Sequence, residues 1–534
     1  MAEQMTGGAA LVAALAAHGV DVVFGIPGTH NLEIYEHLPR HGIRHVGTRH
    51  EQGAGYAADG YARTTGRVGV AVVTTGPALL NAAAAVGQAY SDSVPLLVVS
   101  PGLPLRHPAA GNGLLHETRD QGAAMAAVAA ASLRATSVAE IPTAVAQAFA
   151  LMTSGRPRPV HLEVPLDVLE ESGDVEVVAP VRPARQRPSS TDVAAAARLL
   201  EGADRPVLVV GGGARGAAEA VRVFAERTGA AVVTTTNGKG VLPEDHPLAL
   251  GAGVHLPAVR ALVDESDVVV AVGTELAPSD LWYGPLPLAG KLVRIDLDPV
   301  GAVTNAAGEV TVLGDASAVL TELRDRLAPR EPRPDIEAWR DRKRKDAETE
   351  GAEWLAVVEA LGAALPRDAV VAADNAMVCY YGALANLSTH TPGSFLFPTG
   401  YGTLGYGLPA GIGAKIGDPQ RPVVALLGDG GVMFTVAELA TAAEQRIALP
   451  VVVVDNEGYG EIRNEMAERS DPVHAVTFTA PDFAALGRAV GCAGVTVDLA
   501  AGAEPASLTT AVRDALVADR PTVIHVRVPR GGTA

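Results

Sequence analysis

The sequence VVALLGDGG at residues 423–431 and the sequence PVVVVDNEGYG at residues 450–460 each join an apolar run to a polar, glycine-rich turn. Runs of valine and leucine without alternating polar residues are typical of parallel strands that are buried on both faces of a sheet. The first turn leads into a helical pattern, as expected for a strand–turn–helix unit. We therefore predict two neighbouring strands whose carboxyl ends bring Asp429 and Asn456 together.

Asp429, Asn456 and the carbonyl group of Gly458 offer the kind of oxygen ligands that Mg²⁺ prefers in proteins. These groups supply three ligands, and a bound diphosphate supplies two more. The glycines around Asp429 allow the backbone to approach phosphates at a helix N-terminus. The plain alternative is a strand followed by a turn with a capping aspartate. The second strand and its Asn-x-Gly sequence favour the magnesium diphosphate site.

Apolar runs alternate with helical patterns along all 534 residues, which predicts α/β domains with crossover helices. Residues 170–190 are polar and rich in proline and arginine, and residues 329–350 are heavily charged. Both stretches are predicted linkers, the second continuing as an exposed helix. The linkers divide the chain into three doubly wound parallel-sheet domains, over residues 1–175, 190–328 and 351–534.

The composition excludes several classes of partner. A formal net charge of −18 argues against nucleic acid and anionic membrane surfaces. Cys379 and Cys492 are too few for a disulfide framework, and the chain has no Cys-x-x-Cys sequence. No apolar run approaches the ~18 residues that a membrane span needs, and the N-terminus lacks the basic region of a secretory signal. We predict a cytoplasmic protein that acts on a small molecule.

Two distant segments resemble each other. Residues 155–165 read GRPRPVHLEVP and residues 519–529 read DRPTVIHVRVP, each near the end of its predicted domain. The coincidence of Arg, Pro, His, Val and Pro predicts that the first and third domains arose by duplication. Chance similarity is the alternative, because the pair Arg-Pro also precedes the strands at Val207 and Val423.

The paired turns at Asp429 and Asn456 resemble the cofactor signature of thiamine-diphosphate enzymes of the decarboxylase and acetolactate synthase type. Asp455 replaces the first asparagine of the family's Asn-Asn pair, whereas the ligand position, Asn456, is retained. The resemblance covers nearly the whole chain. It implies a pyrimidine-binding first domain, a middle domain and a diphosphate-binding third domain, with thiamine diphosphate and Mg²⁺ as cofactors.

The stretch RHEQGAGYAADGYAR at residues 49–63 resembles the family segment that activates the cofactor. The resemblance implies that Glu51 donates a hydrogen bond to the aminopyrimidine N1′, so that N4′ can take the proton from thiazolium C2. This role requires a buried carboxyl group with a raised pKa. Alone, Glu51 would be read as stabilising the first turn of a helix, but the matching stretch indicates the catalytic acid.

The resemblance assigns further residues to the cofactor. Gly28 belongs to a turn beside the thiazolium, and TTGPALLN, with Pro77 and Asn81, resembles the family's TSGPGxxN with one glycine replaced by alanine. Leu404 is expected to wedge between the two cofactor rings, its alternative being a core leucine, and the Gly402 carbonyl to accept from N4′. The predicted cofactor-binding residues are Gly28, Glu51, Pro77, Asn81, Gly402, Leu404, Gly428, Asp429, Gly430, Gly431, Asn456, Gly458, Tyr459 and Gly460.

The substrate pocket is predicted from neighbouring motif positions. With Glu51, the predicted catalytic residues are His30, His116 and Glu461. The sequence LLHET at residues 114–118 partly keeps the Leu-Leu-His-His-Thr pattern of pyruvate decarboxylases and departs from the acetolactate synthase pattern. Each histidine, taken singly, is more often structural or solvated. Further candidates for the pocket are Thr29, Thr74 and Glu117.

Glu461 suggests the chemistry of the substrate tail. A carboxylate beside the cofactor is costly to desolvate without a partner, and a planar guanidinium can bind it at two points. The alternative is that Glu461 pairs with its neighbour Arg463. The sequences GIPGTHNLEIYEHL, LHETRDQ and GYGEIR together resemble bacterial decarboxylases that act on guanidino 2-oxo acids.

We therefore predict a thiamine-diphosphate- and Mg²⁺-dependent, non-oxidative decarboxylase of a 2-oxo acid such as 5-guanidino-2-oxopentanoate. The alternative is an acetolactate synthase-like carboligase, and a remote one is a catalytically silent nucleotide-binding homologue. The resemblance also implies a homodimer or homotetramer with active sites at the subunit interface.

The sequence Gly211–Gly216 fits the G-x-G-x-x-G pattern of dinucleotide-binding folds. No acidic residue follows at the ribose position, because residues 231–237 are apolar and rich in threonine. Some family members bind FAD or a nucleotide in this domain. The stretch at residues 273–280 lacks the Arg-Phe-Asp-Asp-like sequence of acetolactate synthases that bind FAD, so we expect no FAD here.

Overall fold

A computed structural model describes residues 3–107, 111–181 and 183–529 of the chain. Within these ranges the strands form three six-stranded parallel sheets and one antiparallel pair. The predicted fold class of three α/β domains is therefore confirmed. No helix in the described ranges is long and apolar enough to cross a membrane.

The first sheet is built from residues near the N-terminus. The strands of this region are β1 (Glu3–Thr6), β2 (Val22–Gly25), β3 (Arg44–Gly47), β4 (Gly69–Val72), β5 (Leu96–Gly102), β6 (Ala131–Arg134), β7 (Val160–Pro165) and β8 (Ser172–Val175). The helices are α1 (Gly7–Ala17), α2 (Leu32–His37), α3 (Glu51–Thr65), α4 (Pro77–Ser91), α5 (Gln121–Ala126), α6 (Ile141–Thr153) and α7 (Leu166–Glu170). The sheet order is β3-β2-β4-β5-β7-β6, and β1 pairs with β8.

The second sheet has the order β11-β10-β9-β12-β13-β14. Its strands are β9 (Pro206–Val210), β10 (Ala231–Thr234), β11 (Ala249–Ala252), β12 (Val268–Val272), β13 (Lys291–Asp296) and β14 (Val310–Leu313). The helices of this part of the chain are α8 (Ser190–Glu201), α9 (Ala218–Thr228), α10 (Pro257–Asp264), α11 (Pro278–Leu281), α12 (Gly301–Thr304), α13 (Ala316–Arg326) and α14 (Ile336–Glu350).

The third sheet has the order β16-β15-β17-β18-β20-β19. Its strands are β15 (Val370–Ala373), β16 (Phe395–Leu396), β17 (Val423–Gly428), β18 (Pro450–Asp455), β19 (Ala493–Asp498) and β20 (Thr522–Arg527). The helices are α15 (Leu355–Ala364), α16 (Leu384–Asn386), α17 (Gly407–Gly417), α18 (Asp429–Val432), α19 (Glu438–Glu444), α20 (Gly460–Glu468), α21 (Phe483–Ala489) and α22 (Pro505–Leu516).

The first and third sheets have the same topology. In each, the second strand of the unit pairs at the edge, and the last strand inserts between the fourth and fifth. The two resembling segments become β7 and β20, which occupy the same place in their sheets. The shared strand order adds support to the predicted duplication.

The charged stretch at 329–350 differs from its prediction in one respect. It forms α14, but this helix is not exposed all round, because one face packs against the middle domain. Ile336, Trp339 and Ala347 are buried at helical spacing. Lys343 lies on the same face, donates to the Ala385 carbonyl at 2.8 Å, and has a pKa lowered to about 8 by burial. The many charged neighbours conceal this apolar stripe in the sequence.

A buried ionic network joins the three sheet units. The Arg63 guanidinium on α3 donates to Asp59 at 2.6 Å and to Asp92 at 2.7 Å. It also donates to the Asn237 side chain of the middle unit and to the Phe397 carbonyl of the third. Because both carboxylates and the guanidinium are almost completely buried, each charge depends on its partners.

Candidate active site

The site lies at the carboxyl ends of β17 and β18, which pair side by side as parallel strands. Asp429 follows β17 directly, and Asn456 follows β18 directly. A cavity of about 410 Å³ opens between the two turns. Every predicted site residue of the third domain lines this cavity, namely Gly402, Leu404, Gly428, Asp429, Gly430, Gly431, Asn456, Gly458, Tyr459, Gly460 and Glu461.

The three predicted metal ligands converge on one point of this cavity. The Asn456 side-chain oxygen lies 3.1 Å from the Gly458 carbonyl oxygen and 3.2 Å from Asp429 Oδ1. Three acceptor oxygens at this spacing repel one another unless the amide rotates or a cation lies among them. Neighbouring ligands of octahedral Mg²⁺, with bonds of about 2.1 Å, are roughly 3 Å apart. The donor set therefore fits a magnesium ion.

The electrostatics of Asp429 also favour a cation. Burial, reinforced by the negative charge of Asp455, raises the pKa of Asp429 to about 7. The carboxylate accepts from the Gly430 and Gly458 backbone N–H groups at 2.9 and 2.8 Å. Asp455 is bound by His525 at 2.9 Å. A divalent ion would supply the positive charge that the ionised form of Asp429 needs in this buried place.

Gly458 is fixed by its backbone geometry. Its φ is +138°, and a Cβ atom built there would lie 2.2 Å from the Val476 carbonyl oxygen. A side chain at this position would therefore force apart the turn that presents the Gly458 carbonyl. The glycine in Asn-x-Gly is a requirement of the predicted ligand loop.

The segment around Leu404 is held by two residues that sequence analysis did not single out. Asp374, at the end of β15, accepts from the Gly405 N–H at 3.0–3.1 Å, and Asn375 donates to the Thr403 carbonyl at 2.9 Å. Burial raises the pKa of Asp374 to about 6. The apolar strand Val370–Ala373 ending in an Asp-Asn pair, like β18, is the signal that could have indicated them.

The predicted first-domain residues lie elsewhere in the chain. Glu51 is half-buried at the start of α3, where its Oε2 accepts from Asn81 Nδ2 at 2.9 Å. Gly28 lies after β2, just before the single helical turn Thr29–Asn31, and Pro77 begins α4. None of these four residues lines the cavity at Asp429. Within a single chain, Glu51 and Asn81 lie together, but they do not line the cavity of the predicted metal ligands.

His30 and His116 form a small polar cluster in the first domain. Thr75 Oγ1 lies 2.7 Å from His30 Nδ1 and 3.3 Å from His116 Nδ1, and the two rings meet edge to face. Burial, together with the nearby His116, lowers the pKa of His30. The central hydroxyl belongs to Thr75, whereas the sequence had suggested Thr74, whose buried Oγ1 makes no hydrogen bond.

Glu117 does not join this cluster. Its carboxylate accepts from the backbone N–H groups of Gly111 and Gly113, which lower its pKa. The side chain therefore closes a surface loop, and the expectation that Glu117 lines the substrate pocket gains no support.

Glu461, in contrast, faces the cavity from the first turn of α20. Its Oε1 accepts from the Tyr381 hydroxyl group at 2.8 Å. Over residues 3–107, 111–181 and 183–529 no ion pair within 4.0 Å involves Glu461, so the alternative partner Arg463 does not bind it.

Large apolar side chains are exposed near the predicted cofactor segments. They come from the first turn of α4, the loop before His116, the segment between β16 and α17, and the residues just after α18. The exposed side chains are Leu80, Leu115, Tyr401, Met433 and Phe434. An apolar surface of this kind is typical of a contact with another protein chain.

The glycine-rich sequence after β9 borders a second cavity, of about 280 Å³, between the first and middle units. Gly212, Gly213 and Arg215 lie on one side, and Asp296 lies on another. Arg156 crosses this space to pair with Glu275 at 2.6 Å. The expectation that the domain works without FAD stays a prediction.

Three family models match successive parts of the chain. The N-terminal thiamine pyrophosphate (TPP) binding domain of thiamine pyrophosphate enzymes matches residues 5–124. The central domain of these enzymes matches residues 193–323, and their C-terminal TPP binding domain matches residues 376–526.

Curated relatives match over nearly their full length. The probable 2-ketoarginine decarboxylase AruI of Pseudomonas aeruginosa is 47% identical over 502 residues, covering 92% of this chain and 89% of the relative. The acetolactate synthase large subunit of Parasynechococcus marenigrum is 34% identical, covering 99% and 88%. The probable acetolactate synthase large subunit of Methanocaldococcus jannaschii is 31% identical, covering 98% and 92%.

Proposed function

The chain belongs to the thiamine-diphosphate enzymes of the decarboxylase and acetolactate synthase type, and on this premise we propose that it decarboxylates a 2-oxo acid with a guanidino tail. Membership makes it a thiamine-diphosphate-dependent carboxy-lyase or carboligase. The proposed substrate is 5-guanidino-2-oxopentanoate, and the name of the relative at 47% identity supports this chemistry.

The observation that carries the proposal is the carboxylate of Glu461. It faces the same cavity as Asp429 and Leu404, and its hydrogen-bond partner is a neutral phenol, Tyr381. A partly desolvated carboxylate gains most from a cation that can bind both of its oxygens. A guanidinium group at the end of a short aliphatic chain can bind both oxygens, whereas the methyl group of pyruvate carries no charge and no hydrogen-bond donor.

The residues of the chain have distinct proposed tasks. When bound, thiamine diphosphate supplies the nucleophilic carbon and the electron sink for loss of CO₂. Asp429, Asn456 and the Gly458 carbonyl hold Mg²⁺, which binds the diphosphate. Glu51 holds the proton at the aminopyrimidine N1′, and the His30–Thr75–His116 cluster supplies groups for proton transfer to and from substrate.

We also propose that two subunits share each active site in a homodimer or homotetramer. The support is the separation described above: Glu51 and Asn81 lie outside the cavity that Asp429 lines in their own chain. The exposed apolar residues near the Glu51–Asn81 pair and near the Asp429 cavity supply a surface for the contact between two subunits. The free thiols of Cys379 and Cys492 accord with the proposed cytoplasmic location.

The test compares kcat/KM for 5-guanidino-2-oxopentanoate and pyruvate in wild type and Glu461→Gln. A hydrogen bond to a charged group contributes roughly 1.5–3 kcal/mol, so the variant should lose about 10- to 100-fold for the guanidino substrate alone. Glu465→Gln, at an exposed glutamate one turn further along the same helix, is the matched control and should leave both values unchanged.

Equal losses for both substrates in Glu461→Gln would refute the role of its charge. A wild-type preference for pyruvate with acetolactate as product would establish the carboligase instead, in line with the synthase relatives.

A further inference from the structure

Aromatic residues make up only 4% of the chain, yet four of them meet beside the cavity. Tyr380 and Tyr381 come from the third domain, and Trp282 and Tyr283 come from the middle domain. The Trp282 ring lies 6.4 Å from the Tyr380 ring and 5.8 Å from the Tyr381 ring, edge to face in both cases. The two tyrosine rings are 4.7 Å apart. This cluster spans the boundary between two domains.

The tyrosines of this cluster lie beside the carboxylate of Glu461, and Trp282 packs against Tyr380 and Tyr381. Tyr381 donates a hydrogen bond to Glu461 at 2.8 Å, and Tyr380 lines the cavity together with Glu461. Burial, followed by the negative charge of Glu461, raises the pKa of Tyr380 well above its ordinary value. Burial and nearby carboxylates, Glu461 among them, also raise the pKa of Tyr381 and Tyr283. The three phenols are therefore neutral and lie close to one negative charge.

The backbone that presents these rings is irregular. Tyr380 and Tyr381 lie in a π-helical turn, Val378–Ala383, and such turns occur frequently at functional sites. Trp282 has φ of +45°, which is uncommon for a large side chain and persists only when its surroundings fix it. The His255 ring stacks on Trp282 with centroids 3.8 Å apart, and His255 binds Glu350 at 3.0 Å. Two departures from regular backbone thus converge on one cluster.

We propose that Trp282, Tyr380 and Tyr381 form an aromatic cage around Glu461 that binds the guanidinium group of the substrate tail; this inference rests on the proposed function. A guanidinium group stacks on aromatic faces while its N–H groups bind a carboxylate, so the two kinds of contact add. The middle domain thereby contributes to substrate selection through Trp282. The exposed Tyr283, at the edge of the cage, marks its opening to solvent.

The test uses two substrates that differ in charge but hardly in shape: 5-guanidino-2-oxopentanoate and its neutral analogue 5-ureido-2-oxopentanoate. Trp282→Leu and Tyr380→Leu should each lower kcat/KM for the guanidino substrate by about 5- to 30-fold, the size of a desolvated cation–π contact. Both should change kcat/KM for the ureido substrate by less than about twofold. Trp282→Phe and Tyr380→Phe, which keep an aromatic face, should retain most of the wild-type preference.

A second measurement is independent of turnover. 5-Guanidinopentanoate, which lacks the reactive carbonyl group, should compete with substrate, and its inhibition constant should rise by the same factor in both leucine variants. Tyr90→Leu is the matched control, because Tyr90 is an exposed tyrosine that stacks with Arg158 outside the cavity. Its substrate preference should equal that of wild type. Thermal melting identifies a variant that fails to fold, in which case the other leucine variant decides.

The outcomes separate the two proposals. If wild type does not prefer the guanidino substrate over the ureido substrate, the proposed function is wrong, and the proposed aromatic cage is wrong as well. If wild type has the preference but the folded leucine variants keep it, or lose activity equally toward both substrates, the cage alone is wrong.

Discussion

The first and third sheets share a strand order but carry different chemistry at their carboxyl ends. In the third sheet, the turns after β17 and β18 present the oxygen atoms of Asp429 and Asn456 to one point. In the first sheet, the corresponding turn after β4 presents Thr75 to His30 and His116. One strand order therefore carries the proposed cation site in the third sheet and the proposed proton-transfer cluster in the first.

The two segments with similar sequences, at residues 155–165 and 519–529, also place one residue type in two different environments. His161 on β7 and His525 on β20 are both buried. His161 binds Ser100 and Ser132, and burial lowers its pKa to about 4, so it is a neutral structural residue. His525 binds Asp455, which immediately precedes the predicted ligand Asn456. A histidine at the same strand position thus supports the predicted ligand loop in only one of the two sheets.

The largest expected effect tests the cation site. Asp429→Ala removes the carboxylate among the three converging oxygens, and the enzyme should lose both cofactor retention and activity. Loss of a residue that only supports a metal ligand costs 10- to 100-fold in affinity, so loss of the ligand should cost more than about 100-fold. Calorimetric titration with thiamine diphosphate and Mg²⁺ measures this. Unchanged far-UV circular dichroism would establish that the fold survives, and tight binding by the variant would contradict the assignment.

The next effect tests the first sheet. Glu51→Gln keeps the shape of the side chain but removes its acidic proton, so cofactor binding should persist. Activity should fall by about 10²- to 10⁴-fold, the usual contribution of a general acid or base. Hydrogen–deuterium exchange at C2 of the bound cofactor, followed by NMR, should slow in parallel. An unchanged exchange rate would remove Glu51 from its proposed role.

Mixing the two variants tests whether the two sheets of different chains cooperate. A subunit with Glu51→Gln and a subunit with Asp429→Ala together leave one intact site out of two. Random reassembly at equal amounts should restore activity to about a quarter of wild type, because half of the dimers are mixed. The measurement is kcat after joint unfolding and refolding. No recovery, despite mixed dimers seen by native mass spectrometry, would exclude sites shared between subunits.

The smallest effect concerns the histidine cluster. Because burial and His116 lower the pKa of His30, His30 stays neutral to a lower pH than an ordinary histidine. If its neutral form is required, activity falls as the pH drops through this lowered pKa. His116→Gln removes the repulsion, so the pKa of His30 should rise and the acid limb of kcat/KM should move to higher pH. His41→Gln, on the surface, is the control, and a limb that stays in place would disprove the coupling.

The sequence was most informative where a run of residues has a single physical explanation. Unbroken valine runs predicted β17 and β18, and the turns after them predicted the converging oxygens of Asp429 and Asn456. The spacing of the turns was enough, because the carboxyl ends of adjacent parallel strands share one edge.

Other features of the structure could not be predicted in this way. Trp282 reaches Tyr380 and Tyr381 from another domain, and a local sequence pattern does not predict a contact between domains that depends on a strained φ. The buried face of α14 was missed because Lys343 and its charged neighbours obscure an apolar stripe. A Trp-Tyr pair at 282–283, in a chain so poor in aromatic residues, was the available hint.

The Arg63 network has a consequence for how the molecule melts. Its guanidinium is shared among Asp92 of the first unit, Asn237 of the middle unit and the Phe397 carbonyl of the third. Detaching any one unit would leave part of a buried ionic group without partners, and breaking such a group costs about 3–5 kcal/mol. The three units should therefore lose their structure together, as one calorimetric transition, and Arg63→Met should split that single peak into separate ones.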